Sequence, residues 1–379
     1  MERSSEKRIN KETTKTEELK TTEIKEKFEI FPFKRSYITQ SELEEEFSKL
    51  QKYELKFINV YYDTKNVKEL FGQRVKETDL LYKGKPTLVP LKRCDETFLV
   101  DYFNEHVRIH HKRSTLKPSM YETWLNNKEM LLENIPSDHF LSDKKILSNL
   151  NKALTKLTKL APSRPCLPVG FIKWFGAKSV LDLCVGWGER LFAAIATEVR
   201  YVGVETNTRL FPCYKEMVDS FGLEPEKYTI IQGQFEQVEL PEEKFNLIFV
   251  SMTQGCVESD DISNTERTKE LSFDFLKRAW NYLEDDGHIL LTISNKENIT
   301  HYLEYMNNLK ACEYLGVISY AHVQTLLDGK IGRIERRGNS RYIKTLTTPQ
   351  QIWIWRKIGK RFTSHSISMK FKRCPGVGA

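Results

Sequence analysis

The sequence predicts an α/β fold: a doubly wound, mostly parallel sheet with an antiparallel C-terminal edge and an N-terminal mixed, helical extension. Three observations predict it. Short apolar runs alternate with helix-period segments from residue 179 to about 311. A glycine turn, Gly186-Trp187-Gly188, directly follows the first of these runs. Beyond 311 the helical segments stop and apolar runs succeed one another.

Residues 1–27 are rich in Lys, Glu and Thr, with few apolar positions, and are expected to be a disordered, charged N-terminus. Residues 28–160 form an accessory region. Most of it shows no clear period, but in "SDKKILSNLNKALTKLTKL" Ile146, Leu150, Leu154 and Leu157 fall on one helical face behind a Ser142 or Asp143 cap. A Pro-rich turn, "APSRPCLPVG", leads into the main domain, 161–357. There "SVLDLCV" is the first strand and "ERLFAAIATEV" its helix. "RYVGVE" is the second, followed by the helix "RLFPCYKEMVDSFG". "YTIIQGQ" and "FNLIFVS" are the third and fourth. The helix "LSFDFLKRAWNYLED" carries an apolar stripe of Leu271, Phe275, Leu276, Ala279 and Leu283. "GHILLTIS" is the fifth strand, and "ITHYLEYMNNLK" reads as a helix. "YLGVISYAHV", "RYIKTLTT" and "IWIWRK" are strands without intervening helices. Residues 358–379 are a basic tail.

The 379 residues suffice for one large domain or two ordinary ones. No apolar run approaches the ~20 residues of a membrane helix, and the charged N-terminus lacks the apolar core of a signal peptide. A soluble, intracellular protein with no membrane partner is expected. Seven cysteines without a C-x-x-C suit reduced thiols, and no metal site is expected; His110-His111 is the only close His pair. The net charge of +7 is uneven. From Gly329 to Ala379 there are 13 Lys/Arg and one Glu, +12, which leaves −5 for the rest. A basic, aromatic-bearing terminus fits either a phosphate-backbone surface or a solvated tail.

The glycine turn carries the chemistry. Glycines after a strand let a ligand approach the backbone closely. Leu191 stands where a dinucleotide-binding G-x-G-x-x-G would need its third glycine, which disfavours nicotinamide and flavin dinucleotides. S-adenosylmethionine has no pyrophosphate and does not need that glycine. It needs an acceptor for its amino group and an acid for its ribose hydroxyls. Asp182 lies at the end of the first strand, and Glu205 at the end of the second. The cofactor residues are therefore Asp182, Gly186, Trp187, Gly188 and Glu205. Gln232 and Gln234 are candidates for the adenine edge or simply a polar loop.

From 160 to about 357 the sequence resembles the Rossmann-like S-adenosylmethionine-dependent methyltransferases with their seven-stranded type of sheet. Within them it is most similar to the DNA amino-methyltransferases that act on adenine N6 or cytosine N4. The stretches that carry the resemblance are "RPCLPVGFIKWFGAKSVLDLCVGWGERLFAAIA", "YVGVETNTRLFPCYKEMVDSFG", "ELSFDFLKRAWNYLEDDGHILLTIS" and "QQIWIWRK". Upstream, "KRSTLKPSMYETWLNNKEML" is faintly similar to the lead-in of phage-type members.

The resemblance implies that the fourth strand ends in the catalytic motif, Asp/Asn/Ser-Pro-Pro-Tyr. Its first residue and the next carbonyl accept hydrogen bonds from the base's amino group, orienting the nitrogen for transfer. Its aromatic stacks on the flipped base. Here Ser251 takes the acceptor position, Met252-Thr253 replace the prolines and Gln254 replaces the aromatic. A hydroxyl accepts more weakly than a carboxylate. The missing stack costs about 1–3 kcal/mol, roughly 10- to 100-fold in base binding. Glu258, Asp260 and Asp261 nearby are substitute acceptors or solvated loop residues. The implied partner is nucleic acid, DNA favoured over RNA, with a protein partner supplying missing contacts as a further expectation. Three functions follow: an active base methyltransferase, a degenerate subunit that binds cofactor or nucleic acid as a partner or scaffold, and a methyltransferase on RNA, a cap or protein.

Overall fold

The computed structural model describes residues 31, 33–55, 58–61, 87–91, 97–112, 117–133, 143–158, 164–252, 265–293, 299–322, 334–337, 340–344 and 350–359. The charged N-terminus, Thr253, Gln254, the acids Glu258, Asp260 and Asp261, and the tail from 360 onward lie outside the described residues. The chain divides into two compact units. The first gathers residues 1–56 and 90–239 with 322–324; the second gathers 57–89, 240–321 and 325–379.

In chain order the elements begin with a 3-10 turn (Lys34–Tyr37), α1 (Gln40–Gln51), β1 (Ile58–Tyr61) and β2 (Thr87–Leu91). Helices α2 (Thr97–Arg108), α3 (Met120–Glu133), α4 (Asp143–Thr158) and α5 (Cys166–Phe175) follow. Then come β3 (Ser179–Asp182), α6 (Glu189–Thr197), β4 (Arg200–Glu205), α7 (Phe211–Phe221) and β5 (Tyr228–Gln232). The last are β6 (Phe245–Met252), α8 (Thr265–Tyr282), β7 (Leu283–Ile293), α9 (Ile299–Asn307), β8 (Cys312–His322), β9 (Ile334–Arg337), β10 (Ser340–Lys344) and β11 (Gln350–Lys357). Among the described residues no helix is long and apolar enough to cross a membrane.

In the first unit β3, β4 and β5 are parallel neighbours, with Asp182 opposite Gly203 and Glu205 opposite Gln232. Parallel strands covered on both faces read as continuous apolar runs, and Val180, Leu181, Val202 and Val204 are all buried. The N-terminal helices share this unit's core. Phe47 of α1 stacks on Phe221 of α7 at 4.2 Å and meets Phe192 of α6 edge-on at 5.4 Å. Phe103 of α2 touches both rings. Offset and edge-to-face pairs of this kind add about 0.5–1.5 kcal/mol each beyond burial. A second cluster joins Phe31, Ile109, Trp124, Leu132, Ile146, Leu150 and Leu154. Leu157, expected on the same face of α4, is instead 53 % exposed. It lies in the last turn of the helix, whose apolar face is buried only as far as Leu154.

Two of these helices open with reciprocal caps. Thr39 Oγ1 accepts from the Glu42 N–H at 3.3 Å, and Glu42 accepts from the Thr39 N–H at 3.0 Å. Ser119 and Glu122 repeat the arrangement before α3 at 3.1 and 2.8 Å. Each satisfies two helix-end donors that would otherwise lack partners.

Helix α2 buries a polar stripe. Asp101, Asn104, Glu105 and Arg108 are all within 2 % of full burial. Arg108 donates to Asp101 at 2.8 Å, the Lys34 ammonium also pairs with Asp101, and the Lys34 N–H donates to Glu105 at 2.6 Å. Burial, and next the Asp101 charge, push the Glu105 carboxyl up from its ordinary 4.5 to about 7. The folded chain thus keeps a proton that the unfolded chain has released. The stability this contributes is fully present below about 4.5 and is lost as pH rises through about 7. Urea midpoints are expected to fall from pH 5 to pH 7.5 by the equivalent of ~2–3 kcal/mol. Glu105→Gln is expected to flatten that fall, and an unchanged slope in this variant would contradict the assignment.

In the second unit β6 and β7 run parallel, with a register shift between Phe245 and Leu247. On α8 Phe275, Leu276 and Ala279 of the expected stripe are buried; Leu283, expected on the same helix, is buried as the first residue of β7 instead. The antiparallel C-terminal strand expected from the sequence is present as β11. It pairs with β7 on one side and β8 on the other, so it is an interior strand of this unit. Its composition explains this: Ile352, Trp353, Ile354 and Trp355 are buried on both faces, which an edge strand would not require. Strands β9, β10, β1 and β2 form a further run, with β1 parallel to β10.

Candidate cofactor site

The turn from β3 to α6 is held by a buried cage. Asp182 is 0 % exposed and accepts from Arg190 Nε at 2.8 Å, from the Tyr201 hydroxyl at 2.7 Å and from the Cys184 N–H at 3.3 Å. Arg190 also donates to the Cys184 carbonyl. Burial opposes the Arg190 charge, but Asp182 and Glu189 outweigh it and the guanidinium stays firmly protonated. Burial, then Asp182, pushes the Tyr201 phenol well up, so it remains a donor. Asp182 is thereby committed to shaping the turn.

The turn itself is tied at several backbone groups. Gly186 has φ 60° and Gly188 has φ 87°, conformations that cost a residue with Cβ about 1–2 kcal/mol. The Gly186 N–H donates to Glu205 Oε2 at 2.8 Å, and its carbonyl accepts from the Tyr214 hydroxyl. The Gly188 N–H returns to the Val185 carbonyl at 3.2 Å. The half-buried Trp187 gives its carbonyl to Asn104 and its ring to the edge of His111 at 5.4 Å.

Glu205, 6 % exposed, binds the turn through one oxygen and the Thr206 and Asn207 N–H groups through the other, at 2.9 and 2.8 Å. An ionised carboxylate offers about four acceptor directions. Among the described residues three are filled by main-chain donors, with the Thr206 hydroxyl also 3.4 Å from Oε1, which leaves one direction on Oε2 for an incoming hydroxyl. Among the described residues, the direction a side chain would take from Gly186 meets only the Cys184 carbonyl, at 3.9 Å. Gln232 and Gln234 are exposed at and just beyond the end of β5, where Gln234 accepts from Gln237 at 3.1 Å. The residues present therefore fit a ligand that lies against the glycine backbone and presents a hydroxyl to Glu205.

The structure brings Gly186, Trp187, Gly188 and Glu205 together at one turn and puts Asp182 behind it in the core. In the second unit Ser251 is half-buried opposite Thr292, and Met252 lies opposite Ile293. Thr253 and Gln254 lie outside the described residues. Sequence reasoning missed Arg190, Tyr201, Tyr214 and Asn104. Arg190 could have been found, since a basic residue in the first turn of α6 opposes the helix dipole and needs an acid beneath it.

No protein-family model and no curated protein matches the sequence. Among solved structures, 53% of the chain is similar to 100% of an rRNA methylase from Streptococcus thermophilus, at 12% identity and TM-score 0.34. Another 53% match covers 72% of the tRNA (m1A58) methyltransferase TrmI from Aquifex aeolicus, at 15% identity and TM-score 0.36. A 58% match covers 69% of TrmN from Thermus thermophilus, at 12% identity and TM-score 0.36. At these scores the likeness carries no argument about what this chain does.

Proposed function

We propose that this chain binds S-adenosylmethionine at the turn 186–188 and methylates an amino group of a nucleic-acid base, of the adenine-N6 or cytosine-N4 kind in DNA. The observation that carries the cofactor reading is the Gly186 N–H held on Glu205 beneath an open glycine backbone. Gly186 and Gly188 admit the ligand, Glu205 takes one ribose hydroxyl, and Gln232 and Gln234 reach the adenine edge. Asp182 acts through Arg190 and the turn. The bound cofactor supplies an activated methyl group. Ser251 and the carbonyl after it accept from the target amino group and orient its lone pair. This assignment rests on the sequence resemblance.

The basic C-terminal segment supplies phosphate contacts. Methyl transfer from labelled cofactor to DNA, RNA and protein pools tests the reading, with Gly186→Arg as the inactive control. Transfer to DNA is expected, slow for want of a stacking aromatic. Replacing Met252-Thr253-Gln254 by Pro-Pro-Tyr is expected to raise single-turnover transfer about 10- to 100-fold. Brisk DNA methylation that survives Ser251→Ala would overturn the acceptor assignment. Cofactor binding without transfer to any pool would favour a non-catalytic subunit, for which the replaced aromatic is the supporting observation.

A further inference from the structure

We infer that Asn104, on a helix of the region preceding the α/β core, is a positioning residue for the cofactor turn; the inference rests on the cofactor reading above. Asn104 is fully buried on α2, and its amide nitrogen donates to the Trp187 carbonyl between the two glycines. Among the described residues the other hydrogen bonds shown at 186–188 come from β4, α7 and the turn itself, Glu205 to the Gly186 N–H, Tyr214 to the Gly186 carbonyl and Val185 to the Gly188 N–H, while the Trp187 ring also meets His111. The 187–188 peptide is therefore held at its N–H by Val185 and at its carbonyl by Asn104. Without the second hold it can rock, and it is the peptide that sets the direction of Gly188 into α6.

Two further observations separate this role from plain packing. Asn104 Oδ1 is buried without a hydrogen-bond partner among the described residues. An apolar side chain of similar shape would avoid that desolvation cost, so the amide is not the choice that packing alone favours. Helix α2 is also secured by other means. Lys34 pairs with Asp101. Arg35 lies over the Tyr102 ring at 4.7 Å and donates to Glu216 of α7 at 2.6 and 3.2 Å. The helix therefore keeps its place when Asn104 is replaced.

The test compares the full chain with Asn104→Leu and Asn104→Ala. Backbone amide exchange at residues 187–190, measured without ligand, is expected to quicken about tenfold in both variants while exchange along α2 stays put. Affinity for S-adenosylhomocysteine is expected to fall about tenfold in both, with the Asn104→Leu melting temperature unchanged. A purely structural role predicts the reverse: lower melting temperatures with turn exchange and affinity as in the wild type, which would overturn the inference. If the wild-type chain binds no S-adenosylhomocysteine, the cofactor reading falls, and the exchange at 187–190 alone decides whether Asn104 holds the turn.

Discussion

Gly186→Arg is expected to abolish the thermal shift given by saturating S-adenosylhomocysteine while the ligand-free chain loses only about 1–2 kcal/mol of stability. The backbone there has φ 60°, so any Cβ is strained, but the nearest atom in its path is the Cys184 carbonyl at 3.9 Å. The new side chain enters open space over the turn, where the ligand is proposed to lie. Gly188 provides the contrast. A Cβ there would meet Met217 Sδ at 3.1 Å, Met217 Cε at 3.2 Å and Tyr214 Cε1 at 3.3 Å, at φ 87°. Gly188→Ala is expected to displace α7 side chains and lower the melting temperature of the ligand-free chain more than Gly186→Arg does. Melting curves of both variants, with and without ligand, separate the open position of the turn from the one that also packs against α7, two residues away. Retained binding by Gly186→Arg would remove the ligand from this turn.

The other large effect is expected at Asp182. Removing one partner of a buried ion pair leaves the other charge uncompensated, at about 3–5 kcal/mol. Asp182→Ala strands Arg190 and deprives the Tyr201 hydroxyl of its acceptor. A fall in melting temperature of roughly 4–6 °C is expected for a chain of this size. Asp182→Ala combined with Arg190→Leu is expected to cost less than the sum of the single changes, because the Asp182–Arg190 pair is removed as a whole. Denaturant unfolding of the three variants gives the coupling directly. Additive losses would mean that the cage is not a unit.

The strands of residues 179–293 were legible because parallel strands buried on both faces are continuous apolar runs, and glycines punctuate them. The helices before residue 143 were harder to read for a physical reason. Helix α2 buries Asp101, Asn104, Glu105 and Arg108 at helical spacing, so polar residues occupy the face that an apolar period would mark. Asp101 and Arg108 pair within the helix, but Lys34 joins them from the 3-10 turn, a contact across 67 residues that no local pattern announces. Helices α1 and α3 did carry a local signal, Thr39-x-x-Glu42 and Ser119-x-x-Glu122. At the site, the glycines and Glu205 were legible from their places at strand ends. Asp182 was legible as a strand-end acid, but its commitment to Arg190 and Tyr201 depends on tertiary packing. Leu157 fits the apolar period of α4, yet among the described residues its side chain stays 53 % exposed.

Calorimetric titration of the full chain with S-adenosylhomocysteine tests the central claim most directly. Saturable binding of one ligand per chain is expected, lost in Gly186→Arg and strongly weakened in Glu205→Ala, with both variants folded. The absence of binding heat from the folded wild-type chain at several temperatures, with no cofactor co-purifying, would contradict it.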